Sequence, residues 1–525
     1  MELVTDVDVL VVGAGPTGLL AACELLRRGV RVRVIDRAAE PMRVPKALSL
    51  WPRVLDILED LGVADEIRRA SVPIRAFSYF SERRPLASFT FAEDLRARQL
   101  PQPETERILA RRLRSLGGKI ERGVRLLALD DVDFSGRIEA TDGVTAVLEH
   151  AGAVLERFRV PFVIGADGAG SSVRGQLGIG FQGTTYEMAF ALVDSRVEGR
   201  LPRDEILYYQ APTGTLVIVP QPGGVHRFLS VMPEGGGEVG VPMMQALVDE
   251  RGPRGVRLTE PVWQTEFRVH ARRATEFRRG RVFLMGDAAH VHSPAGGQGM
   301  NNGLQDAHNL GWKLAAVIRG ESPSSLLDGY GPERSEATRK IVRDTDVQTR
   351  AWMADGPGRV LARDAAFRLL DRTGAVSRFY TPVMAGRRLA YAPERDTQLP
   401  GGRAACRLRG RLSGGARVGG TFPRQAALAA GIGGPQDGPP GWTLALHTPA
   451  ADSAWLTEIG HIAARWPQIA VVRLPKSAGA ATGCGKQGYY LVRPDGHIAA
   501  HGHKNDLNRL ERELGTVLAH RAAMT

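Results

Sequence analysis

The sequence predicts an α/β fold: a Rossmann-like nucleotide-binding unit interwoven with a mostly antiparallel sheet, and a smaller α/β domain at the C-terminal end. Three observations lead there. A glycine-rich turn, Gly13-Ala14-Gly15-Pro16-Thr17-Gly18, separates an apolar run from a helical period. Two further apolar runs end in acidic turns, Gly165-Ala166-Asp167-Gly168 and Gly286-Asp287-Ala288-Ala289-His290. Stretches of alternating polarity fill the intervals between these motifs.

The run Val7 to Val12 has the composition of a buried parallel strand, and Leu19 to Arg28 sets Leu19, Ala22, Leu25 and Leu26 on one helical face. The glycines therefore occupy a strand-to-helix turn. Gly13 permits the tight bend, Gly15 lets backbone N–H groups approach a pyrophosphate, and Gly18 lets the helix lie against the strand. Pro16 and Thr17 complete the turn, and the helix start offers partial positive charge to an anion. A second apolar strand, Val30 to Ile35, ends at Asp36-Arg37, about twenty residues on, where a carboxylate can accept hydrogen bonds from a ribose diol.

Which dinucleotide is decided by the later motifs. Phe162 to Ile164 and Arg281 to Met285 are apolar strands that end at Asp167 and Asp287, and Ser171 to Arg174 begins a polar helix-like stretch. A carboxylate at a strand end can bind the hydroxyls of a ribityl chain, which FAD has and NAD lacks. After Asp287 comes Ser293-Pro294-Ala295-Gly296-Gly297-Gln298-Gly299-Met300-Asn301-Asn302-Gly303, then a helical period through Leu304, Ala307, Gly311, Leu314, Ala315 and Ile318. Its glycines let backbone approach a flat ring, and the helix start can stabilise negative charge there.

On these motifs the sequence resembles the FAD-dependent aromatic hydroxylases, the class A flavoprotein monooxygenases with the para-hydroxybenzoate hydroxylase fold, over residues 5 to 355. Residues 390 to 520 resemble the thioredoxin-like C-terminal domain of phenol hydroxylase and aromatic-polyketide hydroxylases. The resemblance implies that Gly13, Gly15, Pro16, Thr17, Gly18, Asp36 and Arg37 hold the ADP half of FAD. Gly286 and Asp287 would hold the ribityl chain, and Asp167 belongs to a motif tied to both FAD and the nicotinamide cofactor. Pro294, Gly296, Gly297, Gly299, Met300 and Asn301 would line the isoalloxazine. Lys46 stands where the family usually has Arg, a point charge in place of a bidentate grip. Gln102, followed by Glu106 and Leu109, matches a Gln near the ribityl or ring region; an exposed Gln before a helix is the other reading.

The chemistry so implied is hydride transfer from NADPH or NADH to FAD, reaction with molecular oxygen to a flavin C4a-hydroperoxide, and oxygen transfer to a phenolic or polycyclic aromatic substrate, such as a polyketide intermediate. Pro294, Tyr209 and His226 are the catalytic candidates, with His270 and His290 as further candidate bases. Baeyer–Villiger oxygenation or epoxidation on the same fold, and a flavin-binding dehydrogenase or scaffold that does not oxygenate, are the alternatives. A halogenase ranks below them, because the Trp-x-Trp-x-x-Pro segment is absent. His290 and His292 lack a third ligand at useful spacing, so no metal is expected. Trp51 reads as packing, and Glu333-Arg334 as a structural ion pair.

Composition narrows the class further. A chain of 525 residues exceeds one core and calls for two or three domains. The net charge of +12 raises nucleic acid as a partner, but the basic residues are scattered among acids rather than clustered, so none is expected. Cys23, Cys406 and Cys484 are too few and too distant for a disulfide framework. With no apolar run of eighteen residues and no signal-peptide pattern, no membrane is expected and a cytoplasmic protein is.

The FAD-binding domain is expected from residues 1–70, 100–185 and 275–355, and the substrate-binding sheet from 71–99 and 186–274. Connecting helices follow over 356–390. The C-terminal domain, 391–525, opens on a Gly/Arg/Pro-rich linker. It carries strands at Thr443 to His447, Ile469 to Leu474, Tyr489 to Val492 and His497 to Ala500, a helix at 453–465 and a last helix from Asp506 to His520. Lacking Cys-x-x-Cys, it is expected to serve packing or a homodimer rather than thiol chemistry.

Overall fold

The computed structural model describes residues 7–233, 236–293, 295–352, 357–391, 416–434, 438–448, 453–478, 482 and 487–518. Short β-branched, apolar runs form a six-stranded sheet in the order Arg278–Arg279, Val282–Leu284, Phe162–Gly165, Val9–Val12, Val32–Asp36, Ile120–Arg122. All pairings but the edge one are parallel. Parallel strands end on the same edge, so this order alone brings the three sequence motifs and Asp36 together at the carboxyl ends of four neighbouring strands. That is where open α/β sheets bind ligands.

The first helix spans Pro16–Leu26, beginning earlier than its apolar period, because Pro16 at the first helical position is already held at a helical φ. It is buried along almost its whole length against the sheet and against the helix Gly299–Ile318. Close approach is possible because Gly311 faces Glu24, where a Cβ would come within 2.7 Å of the Glu24 Cβ. Glu24 itself is buried. Burial opposes its charge, but Arg27, Arg28 and His308 outweigh that and hold its carboxyl well below the usual range.

The second sheet has eight strands, in the order His290–Val291, Arg257–Ala274, Phe181–Glu198, Val225–Val231, Gly214–Pro220, Glu205–Ala211, Ala76–Ser81, Arg84–Thr90. It is antiparallel except where Glu205–Ala211 runs beside Ala76–Ser81. Side chains alternate between its faces. One face carries Val193, Leu207, Tyr209, Leu216 and Phe228 and packs under the helix Val241–Arg251. The other carries Phe77, Ile206, Tyr208 and Val217 and packs with Trp51, Phe91 and Met384.

The C-terminal domain is thioredoxin-like: a four-stranded sheet, Ile469–Arg473, Trp442–His447, Gly488–Val492, Ile498–His503, with only the first pair parallel. Helices Ser453–Ala464 and Leu507–Val517 close its core through Trp455, Ile459, Leu510 and Leu514. Trp312 of the long helix joins this core, edge-on to Trp442 at 5.6 Å. Most of the linker, with Cys406, lies outside the described residues, as does Cys484. No helix among the described residues is long and apolar enough to cross a membrane.

Candidate cofactor cleft and active site

At the glycine turn, two of the three glycines are required by protein against protein. Gly13 has φ +107°, and a Cβ there would fall 2.3 Å from the Ala166 carbonyl oxygen. One at Gly18 would lie 2.0 Å from the Gly13 carbonyl oxygen. Gly15 is different, since a Cβ would meet nothing within 4 Å. The open space beside Gly15, at a helix N-terminus led by Pro16, fits a pyrophosphate. Asp36 bends back over the turn: its Oδ2 accepts from the Ala14 N–H at 2.7 Å and its Oδ1 from Ala38 at 2.8 Å. The remaining lone pairs are free for a diol. Arg37 follows, exposed.

Across the cleft, Gly286 turns at φ +57° and Asp287 follows it. Its carboxylate is solvent-accessible yet ringed by protein, and no described residue donates a hydrogen bond to it. Enclosure raises its pKa, offset in part by His290 and by Lys46, which is exposed at the cleft mouth. An enclosed carboxylate without a donor fits a ligand that brings hydroxyls. Thr17 wedges against this turn: a Cβ at Gly286 would meet its Oγ1 at 2.8 Å, and one at Gly303 at 2.4 Å.

The glycine loop is held from behind. The Trp51 indole N–H donates to the Gly296 carbonyl at 2.8 Å, and its backbone N–H to Asn301 Oδ1 at 2.8 Å. Asn301 Nδ2 donates to the carbonyls of Ser49 and Gly297 at 2.7 and 2.8 Å. The Asn301 side chain is therefore engaged by Ser49, Trp51 and Gly297, tying the glycine loop to the Ser49–Trp51 segment. Gly297 turns at φ +61° hard against Ser49, a Cβ at Gly299 would come no closer than 3.9 Å to His292, and Met300 is half-buried at the edge of the core. Pro294 lies outside the described residues. His292 Nδ1 faces the Ser293 carbonyl at 3.1 Å, and burial pushes the ring's pKa down to about 4, so the imidazole is neutral at physiological pH.

Other expected residues are engaged by the protein itself or face away from the cleft. The Asp167 carboxylate is spent on its own helix, accepting from Ser171 Oγ at 2.5 Å and the N–H groups of Ser172 and Val173 at 2.7 and 3.2 Å. Gln102 pins the loop that carries Lys46: its Oε1 accepts from Ala47 N–H at 3.3 Å and its Nε2 donates to Glu106 at 2.9 Å. Tyr209 and His226 are on the wrong face of the second sheet. Tyr209 packs under the helix Val241–Arg251 and stacks on Phe80 at 4.5 Å; burial pushes its hydroxyl up to about 12. His226 shares the parity of Phe228 on that face, and burial lowers its pKa. His270 is exposed and faces Thr185 Oγ1 at 2.9 Å.

The face turned towards Trp51 is aromatic. Tyr79 and Tyr208 stack at 4.6 Å, Phe77 meets Tyr208 edge-on at 5.6 Å, and burial raises both tyrosine hydroxyls above their ordinary range. Such phenols remain protonated donors, not bases. Beside them the buried pair Arg227–Asp194 closes at 2.8 Å, with Arg227 also donating to the carbonyls of Pro45 and Lys46 and lying 5.3 Å over the Trp263 ring.

Sequence reasoning missed the group beneath the cleft. Asp306 is fully buried: its Oδ2 accepts from the Gly286 N–H at 3.0 Å and from His290 Nε2 at 2.6 Å, and its Oδ1 from Arg334 Nε at 2.6 Å. Burial alone would raise this carboxyl, but His290 and Arg334 hold it below its ordinary value. The available signal was a stripe of polar residues, Asn302, Asp306, Asn309 and Lys313, at helical spacing along one side of the helix. Glu333 and Arg334, read as one ion pair, point to different partners: Glu333 to Lys313 and Arg493, Arg334 to Asp306.

Strand ends that converge on one cleft, a glycine turn leading a helix and an enclosed carboxylate opposite define a flavin-dinucleotide-binding protein of the α/β class. A model of the FAD binding domain matches residues 6–345, and the chain belongs to that family, the FAD-dependent aromatic hydroxylases. It is similar to 6-methylpretetramide 4-monooxygenase of Streptomyces rimosus, 39% identical over 356 residues that make up 65% of this chain and 61% of that enzyme. Among solved structures it is similar to the anhydrotetracycline hydroxylase OxyS from Streptomyces rimosus, with a TM-score of 0.75, 27% identity and coverage of 97% of this chain and 98% of the other. A ternary complex of aklavinone-11 hydroxylase with FAD and aklavinone matches with a TM-score of 0.72 and 27% identity, over 98% and 99% of the two chains.

Proposed function

We propose that this protein is an NAD(P)H-consuming monooxygenase that hydroxylates a phenolic or polycyclic aromatic substrate. One observation carries the reading: the cofactor cleft opens beside a buried aromatic wall built on a second sheet. Gly15, Asp36 and Asp287 would hold the FAD from both ends of the molecule, and Gly297 and Gly299 would admit its flat ring. Bound there, FAD supplies two-electron reduction by NAD(P)H and activation of oxygen.

The chain's own residues set the conditions for transfer. Phe77, Tyr79 and Tyr208 supply flat apolar surface that suits a fused aromatic system and excludes water, which would otherwise divert activated oxygen to peroxide. The Tyr79 and Tyr208 hydroxyls, protonated at neutral pH, do not deprotonate a substrate. The tetracycline- and aklavinone-type substrates named for the similar proteins favour a polyketide-derived ring system. NAD(P)H as reductant fits a cytoplasmic setting.

The test is NAD(P)H consumption by the FAD-loaded protein under labelled oxygen with a panel of polycyclic phenols. The expected product carries one labelled oxygen on an aromatic carbon. Stoichiometric peroxide with no labelled product from any of them would refute hydroxylation, and a labelled lactone or epoxide would redirect the reading to Baeyer–Villiger or epoxidase chemistry.

A further inference from the structure

A continuous buried chain of polar contacts runs from the cofactor turn to the C-terminal domain. It starts where Asp306 accepts from the Gly286 N–H and from Arg334. Arg334, itself fully buried, donates on to the Asn302 carbonyl at 3.1 Å and to the Tyr391 hydroxyl at 3.2 Å. The Tyr391 ring stacks on His497 at 4.3 Å and lies 5.4 Å under the Arg493 guanidinium. Arg493 is clamped between Glu333 at 2.6 Å and Asp495 at 2.5 Å, and Asp495 faces His497 at 3.3 Å. A second arm leaves the same hairpin turn: Arg53 donates to the Asp495 carbonyl, two residues from Trp51, which holds Gly296 and Asn301.

We propose that the hairpin turn Arg493–Gly496 of the C-terminal domain is part of the support of the cofactor cleft, with Tyr391, Arg334 and Asp306 as positioning residues that carry it to the Gly286–Asp287 turn. The proposal rests on the reading of the cleft as an FAD site. Its physical basis is that buried charges tolerate few arrangements. Each must keep its partner, because a charge left buried and alone is strongly destabilising. The hydrogen bonds and ion pairs at Asp306, Arg334, Arg493 and Asp495 therefore confine these side chains to few arrangements. The ends of the chain of contacts lie on both sides of the cleft: one at the backbone N–H of Gly286, the other at the glycine loop through Trp51. Loosening the turn frees Arg334 to reorient, and Asp306 then shares its oxygens differently between His290 and the Gly286 N–H.

A packing-only role predicts lower stability and an unchanged cleft. The experiment compares the full-length wild type with Tyr391→Phe, Asp495→Asn and, as control, Arg465→Ala, which breaks an exposed pair with Glu511 in the same domain. FAD affinity is read by fluorescence quenching on titrating apoprotein, the bound flavin by its visible circular dichroism, and the apoprotein by its Tm. The expected result is a Kd for FAD raised at least about fivefold, with an altered visible signal, in Tyr391→Phe and Asp495→Asn but not in the control. Unchanged Kd and signal in Tyr391→Phe, whatever the Tm, would overturn the proposal. That variant removes a single hydroxyl, so it keeps the test decisive even if Asp495→Asn fails to fold. A wild type that takes up no FAD would instead overturn the FAD reading itself, and this proposal with it.

Discussion

Replacing Gly303 by Ala asks whether the two long helices meet at the cofactor turn by contact. A Cβ at 303 would lie 2.4 Å from Thr17 Oγ1 and 3.1 Å from the Gly286 Cα. The first distance is about 1 Å inside ordinary contact, so the helices must part or Thr17 must leave its place. Overpacking of this kind costs about 1–3 kcal/mol, of which the better helix propensity of Ala returns about 1. The net loss of stability should therefore be about 0–2 kcal/mol, with the strain falling on Thr17 and Gly286, both at the cleft. We expect the Kd for FAD to rise about tenfold, equivalent to ~1.4 kcal/mol, in a fluorescence titration of apoprotein. Thr17→Ala removes the clashing oxygen, leaving the 3.1 Å contact to Gly286 Cα and one of 3.6 Å to Thr17 Cβ. The double variant should recover most of the loss, a coupling of at least ~1 kcal/mol. Wild-type affinity in Gly303→Ala, or effects of the two changes that simply add, would refute the reasoning.

Asp287→Asn should weaken FAD binding and yet stabilise the apoprotein. The folded-state pKa of Asp287 is raised, so its ionised form costs stability at neutral pH, and that cost fades as pH falls through the folded value towards the ordinary one. The variant's Tm should exceed wild type at pH 7.5 and converge with it towards about pH 4; a lower Tm at pH 7.5 would contradict the enclosure of this carboxylate. Arg227→Ala should be costly, about 3–5 kcal/mol, by stranding buried Asp194 and freeing the Pro45 and Lys46 carbonyls. Arg227→Met combined with Asp194→Leu should lose much less, checked by thermal unfolding. Tyr209→Phe and His226→Gln should keep FAD affinity and the rate of NADPH-driven flavin bleaching within about twofold of wild type, because both side chains face away from the cleft.

Local sequence carried much of the fold. Apolar runs, glycines and strand-end acids obey rules that act over a few residues, and they located every strand of the cofactor sheet that precedes a motif. Three of the four C-terminal strands fell within a residue of their expected positions for the same reason, and the last, Ile498–His503, ended three residues later than expected. The candidate site was less legible. Asp167 and Asn301 have the right residue type at the right motif position, but their hydrogen-bonding capacity is consumed by neighbouring backbone, which motif spacing does not reveal. Tyr209 failed by one position. In a strand, one step exchanges faces, and Tyr208 is the residue turned towards the aromatic wall.

What the chain determined by itself was chemistry carried on short segments: a turn only glycine could make, a helix start for an anion, and a last domain without a Cys-x-x-Cys motif. Tertiary structure decided which side chains share a cavity and which are spent on structure. Asp306, Arg334 and Arg493 are separated in sequence by 28 and 159 residues, so no local period could join them. They meet because a buried charge has to find its counter-charge wherever the packed core brings one.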